Sequence, residues 1–295
     1  VGLSYADASG VKSEHQFLSL ILGSGIFMGQ TLRFTAFNSI LALTLVVSLN
    51  GCVSASFNIP NNRFMTPENN GSSFSSKAAV GYGSKSEVTL ADSSDFSQAK
   101  IDAPVARDSD GVFALAELSL VPMVDVFYGP TGLGAKVQVW GDATEKAKAG
   151  NFSVALAVAG EQATNKENVT ANSSSGTSSY KVEGAAKYQY LDAMVLMGYR
   201  ASPNNLYYVN LATNTIKAKG LMTQTGSENG LTTTSSLATP SYDGRETSVL
   251  LGLQRSYDTL FWILEPGFSN VKISSDEYAV ARSRFSFGGT LGFKF

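Results

Sequence analysis

The chain holds one histidine and one cysteine in 295 residues. A single cysteine excludes an intrachain disulfide and a structural zinc site built on cysteine pairs. The histidine is His15, upstream of everything that patterns as folded structure. A mature chain that starts after it has neither His-dependent catalysis nor a His metal site. Charge is scarce too. Asp, Glu, Lys and Arg make up 16%, against about 25% in an average soluble domain. Neither sign dominates, with 22 Lys+Arg, 24 Asp+Glu and a formal charge of -2. That balance supplies no basic stripe, so nucleic acid is not an expected partner. There is no P-loop, no dinucleotide glycine fingerprint and no calcium loop. The string Gly129-Pro130-Thr131-Gly132-Leu133-Gly134 reads as a turn and a small-residue strand. The adjacent acids Asp276 and Glu277 read as a solvated loop tip. No constellation points to an enzyme, a cofactor or a metal.

What is abundant is glycine, 28 residues, and aromatics, 11%. Two apolar stretches lie near the start, residues 17–28 and 34–49. Both fall short of the about 20 residues a membrane-spanning helix needs. The second has the parts of an export signal over residues 28–51. Met28 opens a short region carrying Arg33, an apolar core follows, and Leu49-Asn50-Gly51-Cys52 closes it. This resembles the bacterial lipoprotein signal, with Leu49 three positions before Cys52 and the small Gly51 between. The resemblance implies lipidation of Cys52. Val53, in place of an Asp, favours the outer membrane over the inner one. Residues 1–27 read as an over-long frame or unusual extension, with an N-terminal helix over 17–27 as the other reading. Residues 52–76, rich in Asn, Ser and Pro, form a polar tether that either hangs free or folds into a barrel mouth.

From residue 77 to 295 the dominant signal has period two, which puts alternate side chains on opposite faces of a strand. At the C-terminus Phe285, Phe287, Leu291, Phe293 and Phe295 share one face, and Arg284, Ser286, Thr290 and Lys294 the other. Phe152, Val154, Leu156 and Val158 alternate with small residues, and Ile216 and Ala218 with Lys217 and Lys219. A soluble sandwich alternates in the same way. The connections favour a barrel. Short links at 121–122, 191–192, 213–214 and 257–258 contrast with long Ser/Thr/Asn-rich ones at 162–178, 225–244 and 274–282. Transmembrane barrels pair short periplasmic turns with longer extracellular loops. Trp140, Tyr188, Tyr190, Tyr207, Tyr208, Tyr257 and Trp262 lie near segment ends, as interfacial girdles do.

On these residues the chain resembles bacterial outer-membrane β-barrels of the porin-like class. The alternating end Leu291, Phe293 and Phe295 resembles the signal read by barrel-assembly machinery. The resemblance implies an all-β, antiparallel, up-and-down transmembrane β-barrel in the bacterial outer membrane, contacting outer-membrane lipid. About twelve strands are expected, with ten as the other even count. Twelve strands put both chain ends on the periplasmic side, next to an acylated Cys52.

Leu156, Val182, Leu251, Trp262, Leu264 and Phe287 are expected to face lipid. Glu161, Lys181, Glu183, Lys187, Arg200, Lys217, Lys219, Glu246, Arg284 and Lys294 are expected to face the lumen, with a basic excess. Water in an open pore hydrates such charges, whereas a closed barrel must pair them. Three functions follow: a narrow channel for small solutes, a closed structural or surface-interaction barrel, and a lipid-anchored soluble β-barrel or sandwich binder.

Overall fold

The computed structural model describes residues 53–95, 98–100, 104–172, 178–228 and 231–295. The proposed signal, Cys52 and residues 1–27 lie outside the described residues.

The described chain is all β and antiparallel. Its strands are β1 (Val53–Pro60), β2 (Ser76–Asp95), β3 (Gln98–Lys100), β4 (Val105–Val121), β5 (Val124–Gly129), β6 (Gly132–Trp140) and β7 (Phe152–Asn172). Then come β8 (Ser178–Ser202), β9 (Asn205–Glu228), β10 (Leu231–Tyr257), β11 (Leu260–Leu264), β12 (Gly267–Ser274), β13 (Ala279–Ser286) and β14 (Gly288–Lys294). Ten strands close a ring in the order β2, β4, β5, β6, β7, β8, β9, β10, β11, β14, and β14 pairs back onto β2. β12 and β13 continue β11 and β14 beyond breaks at Glu265–Pro266 and Phe287.

The ring thus has ten strands, the smaller expected count. The surplus arose at two short links that are not turns. Leu191-Asp192 and Thr213-Asn214 lie inside β8 and β9, paired in register with Asp192 opposite Asn214. Asp192 and Asn214 are fully buried. They are polar because they point into the lumen. The turns at 121–124 and 257–260 do occur, with Met123 and Asp258 at positive φ.

The long loops shrink for the opposite reason. β7 runs on to Asn172, β9 to Glu228 and β12 to Ser274. Ser, Thr and Asn there are strand residues, many exposed on the outer face, while Thr239 is buried and Asn165 donates to the Ser56 carbonyl. β8 has 25 residues and β10 has 27, well over the about 9–11 a membrane-crossing strand needs. The barrel is therefore taller than a bilayer on this side.

Its outer wall divides accordingly. Toward the end with the short turns, Val137, Leu156, Val195, Leu211, Leu251 and Leu291 point outward and exposed. A row of exposed aromatics rims that end, with Phe152 opposite Tyr199, and Tyr199 opposite Tyr207. Farther along the same strands the outward residues turn polar, as at Gln189, Lys187, Thr215, Lys217, Asp243 and Arg245. The outer wall thus has an apolar belt below and a polar part above. At the belt centre, Leu251→Arg should cost about 2–4 kcal/mol of barrel stability. Thr215→Arg, on the polar wall, should be near neutral. Heat-induced gel mobility of the two variants checks this.

β1 is the unexpected element. It lies inside the barrel, antiparallel to β2 from Val53 opposite Ser93 to Pro60 opposite Lys85. Beyond Lys85 the same edge of β2 pairs with β14, from Gly83 opposite Gly288 to Lys77 opposite Lys294. Ser84 marks the changeover. Its N–H donates to Asn62 Oδ1 (3.0 Å), and its carbonyl accepts from the Asn61 N–H (3.0 Å). The chain packs so closely here that a Cβ on Gly288 would stand 2.6 Å from the Phe64 ring. Because β1 enters at the far end of β2, Val53 and the C-terminus lie at opposite ends of the barrel. The expected placing of both chain ends on one side therefore does not hold.

Candidate functional site: the filled lumen

Residues 53–70 descend through the barrel, and nearly all of them are buried. The polar tether, expected either to hang free or to fold into a barrel mouth, runs through the lumen over residues 53–70 and fills it. In the upper half the packing is apolar. Ala55, Phe57 and Ile59 of β1 meet Val88, Leu90, Val182, Ala186, Ile216, Met222, Tyr242 and Ile273. Phe57 stacks on Tyr188, with ring centroids 5.3 Å apart and planes 21° from parallel. The Tyr190 hydroxyl donates to the Asn58 carbonyl. β1 approaches β8 so closely that a Cβ on Gly184 would lie 2.3 Å from the Ser54 carbonyl oxygen.

Lower down, Phe64 and Met65 pack on Phe113, Leu115, Phe127, Leu196, Phe261 and Ile263. Charges surround them. Arg63 reaches two strands at once, with Nε 2.6 Å from Asp192 and Nη2 2.6 Å from Glu246. Glu265 accepts from the Arg63 and Phe64 N–H groups (2.7 and 3.0 Å) and from the Tyr208 hydroxyl (2.9 Å). Arg200 grips Glu68, its Nε 3.0 Å from Oε1. Lys136 bridges Glu117 (3.0 Å) and Asp125 (3.3 Å), and Lys77 also meets Glu117 (2.9 Å). The link between β6 and β7 covers the lower end. Asn151 Nδ2 donates to Glu68 (3.0 Å), and the Thr144 N–H donates to the Asn69 carbonyl (2.8 Å).

These are buried pairs, and each charge taken from water must recover its hydration from partners. Every one of the clamps to Asp192, Glu246, Glu265 and Arg200 joins residues 61–70 to the wall. The arrangement fastens a chain in place. Among the described residues, no group of three or more metal-ligating side chains stands together.

The expected lumen charges divide. Glu246 and Arg200 are buried on inward-facing positions. Glu161 and Lys294 lie on inward-facing positions and are half-buried. Arg284 is mostly buried at the wall seam and donates to the Lys85 and Ser109 carbonyls. Lys181, Glu183, Lys187, Lys217 and Lys219 instead sit on the outer wall. Lys181 lies 3.2 Å from Glu183, and that hydrogen bond holds the carboxyl of Glu183 below its usual range. The cause is the change of environment along the strand. Above the belt the outer face meets water and is polar, while the inner face meets β1 and is apolar. Val182 is buried for this reason and does not face lipid. Of the expected lipid-facing set, Leu156, Leu251, Leu264 and Phe287 are exposed outward and Trp262 is half-exposed. Tyr190 and Tyr208, expected in girdles, are core residues. Leu291, Phe293 and Phe295 are exposed on the outer face.

The network members Arg63, Glu68, Lys77, Glu117, Asp125, Lys136, Asp192 and Glu265 were not anticipated. Lys136 carried a signal, a charge between Gly134 and Gln138 on the small-residue face of a strand. Arg63 and Glu68 carried none, because they sit in a segment without periodicity. With Asp192, Glu246, Glu265 and Glu117 counted, the expected basic excess in the lumen is not found.

At the upper seam, β13 has no backbone ladder to β2, whose edge β1 occupies. Arg282 closes the gap with a fork onto Asp108 (Nε–Oδ1 and Nη2–Oδ2, both 2.9 Å). These bonds hold the Asp108 carboxyl below the usual aspartate range.

No protein-family model and no curated protein matches the chain. Among solved structures, it is similar to Ail, the attachment invasion locus protein of Yersinia pestis. The match has 13% identity and a TM-score of 0.28, and it covers 76% of this chain and 99% of that one. The outer membrane channel DcaP of Acinetobacter baumannii matches at 6% identity with a TM-score of 0.17, covering 82% of this chain and 98% of that one. Superpositions at these scores are loose, and the barrel assignment rests on the strand pairing.

Proposed function

We propose that the protein is a closed β-barrel of the bacterial outer membrane, structural or surface-interacting, and not an enzyme or an open channel. The observation that carries this reading is the segment 53–70, packed through the lumen and clamped by Arg63 to Asp192 and Glu246. The apolar belt with its aromatic rim supports the membrane placement. The short-turn end then faces the periplasm, and the tall polar wall stands outside. Barrel-assembly machinery reading Leu291, Phe293 and Phe295 is part of the same proposal. So is acylation of Cys52, to be tested by mass spectrometry of the mature N-terminus. Since Val53 begins at the tall end, an acyl chain there belongs to the outer side and not to the inner leaflet.

Planar-bilayer conductance tests the closed state. The intact chain should give no steady conductance. A variant lacking residues 53–70 that still forms a heat-modifiable barrel should conduct. Steady conductance from the intact chain would restore the channel reading. A fold that stays soluble and monomeric without detergent would restore the anchored soluble binder.

A further inference from the structure

The outer wall of β8, β9, β10 and β12 gathers cations just above the apolar belt. Lys187 of β8 stands directly opposite Lys219 of β9. Lys217 lies two residues along β9 on the same face, opposite Gln189 and Asp243. Arg245 of β10 is directly opposite Lys272 of β12. All five side chains are exposed. Like charges placed directly across a ladder weaken it, and two such pairs occur on this wall, with Arg245 level with Thr215, four residues along β9 from Lys219. Asp243 is the acid among them, and none of the five cations is in an ion pair within 4.0 Å among the described residues, where shorter pairs such as Arg282–Asp108 occur elsewhere on the wall. A chain with net charge -2 has therefore concentrated unneutralised positive charge on one face. The wall is also concave at this point. A cleft of about 430 Å³ is lined by Lys187, Lys217, Lys219, Gln162, Gln189, Ser241 and Asp243, three cations and three neutral donors against one carboxylate.

Height above the belt selects the ligand. Leu191 is the last exposed apolar residue of β8 below Lys187. Four residues of strand span about 13 Å, or roughly 10 Å of height at a tilt near 40°. Headgroups occupy about 5–8 Å beyond the hydrocarbon on each side. A lysine reaches down that difference by laying its stem along the wall with the ammonium in the polar layer.

We infer that the cleft between β7 and β10, with Lys187, Lys217 and Lys219, binds the phosphate of an anionic lipid headgroup in the leaflet around the barrel. The site rests on the membrane placement proposed above and names the lipid chemistry that placement meets. Phosphate between three ammonium groups relieves the repulsion of Lys187 with Lys219, so bound lipid also stabilises the upper β8–β9 ladder.

The test uses the full chain in a neutral detergent, with native mass spectrometry of retained lipid. Phosphatidylglycerol is offered against phosphatidylcholine at equal concentration. The wild type should retain the anionic lipid with a preference of about tenfold. That preference should fall as salt rises. K187Q/K217Q/K219Q should bring it close to one, while K181Q, on the same strand outside the cleft, should leave it unchanged. An undiminished preference in the triple variant overturns the proposal. So does binding of inorganic pyrophosphate as tight as that of the lipid, since the site then serves a soluble phosphate. A triple variant that loses heat-modifiable gel mobility is replaced by K217Q/K219Q, read in the same way. Failure of the membrane placement shows separately, as a chain that stays dispersed with no detergent at all.

Discussion

Replacing Arg63 with alanine should destabilise the barrel by about 3–5 kcal/mol, the cost of leaving buried charges without their partner. Arg63 is 1% exposed, and Asp192 and Glu246 are each fully buried. The guanidinium bridges β8 and β10 through the lumen. Removing it places two carboxylates near each other in a site closed to bulk water, with the neutral Asn214 beside Asp192 in register. The triple variant R63M/D192N/E246Q removes all three charges while keeping their volume. It should recover most of the loss, because a buried pair replaced by neutral groups of similar shape is often no less stable. Thermal gel-shift midpoints of the four proteins, with D192N/E246Q as the fourth, decide the matter. Equal stability of R63A and the wild type would mean that residues 61–70 are not clamped in the membrane-embedded protein.

A comparable loss, about 3–5 kcal/mol, is expected from Phe57→Ala. The ring is fully buried, stacked on Tyr188 and tilted against Tyr190 at 6.3 Å. It is the largest apolar contribution of β1 to the upper lumen. Its removal opens a cavity between β1 and the wall of β8. Gly184→Val attacks the same contact from the wall, since the new Cβ would meet a backbone oxygen that cannot rotate aside. Both variants should free β1 before the ring opens. Limited proteolysis should cut residues 53–60 while the heat-modifiable band persists. Simultaneous loss of both signals would show that β1 and the ring unfold as one unit.

The ring was legible because the lower outer face is apolar while the inner face carries small and polar residues. Every outward position from Val154 to Val158, or from Phe285 to Phe295, had to be apolar or aromatic, and the alternation displays it. The upper half obeys the reverse rule, and nothing in a period of two tells which face is inside. Lys217 next to Ile216 has the same pattern whether the lysine lines a pore or meets solvent. Asp192 looked like a turn because a charged residue between Leu191 and Ala193 breaks the apolar run. Only the approach of Arg63, 129 residues away in sequence, explains it. Residues 61–70 have no ladder of their own, so their order comes wholly from tertiary clamps. Such order is invisible to local patterning.

One consequence of the β2 changeover concerns the order of assembly. Residues 61–75 join β1 to β2 directly, and β1 uses the part of β2's edge that β14 does not reach. A ring already sealed between β2 and β14 would have to admit Arg63, Phe64 and Glu68 from one end before they reach Asp192, Glu246 and Arg200. Laying β1 against β2 before β14 arrives avoids that threading. In that sequence β1 is a template for the barrel that later encloses it, and the final β14–β2 pairing is a lock. Once that lock is closed, release of the lumen segment requires the wall itself to part.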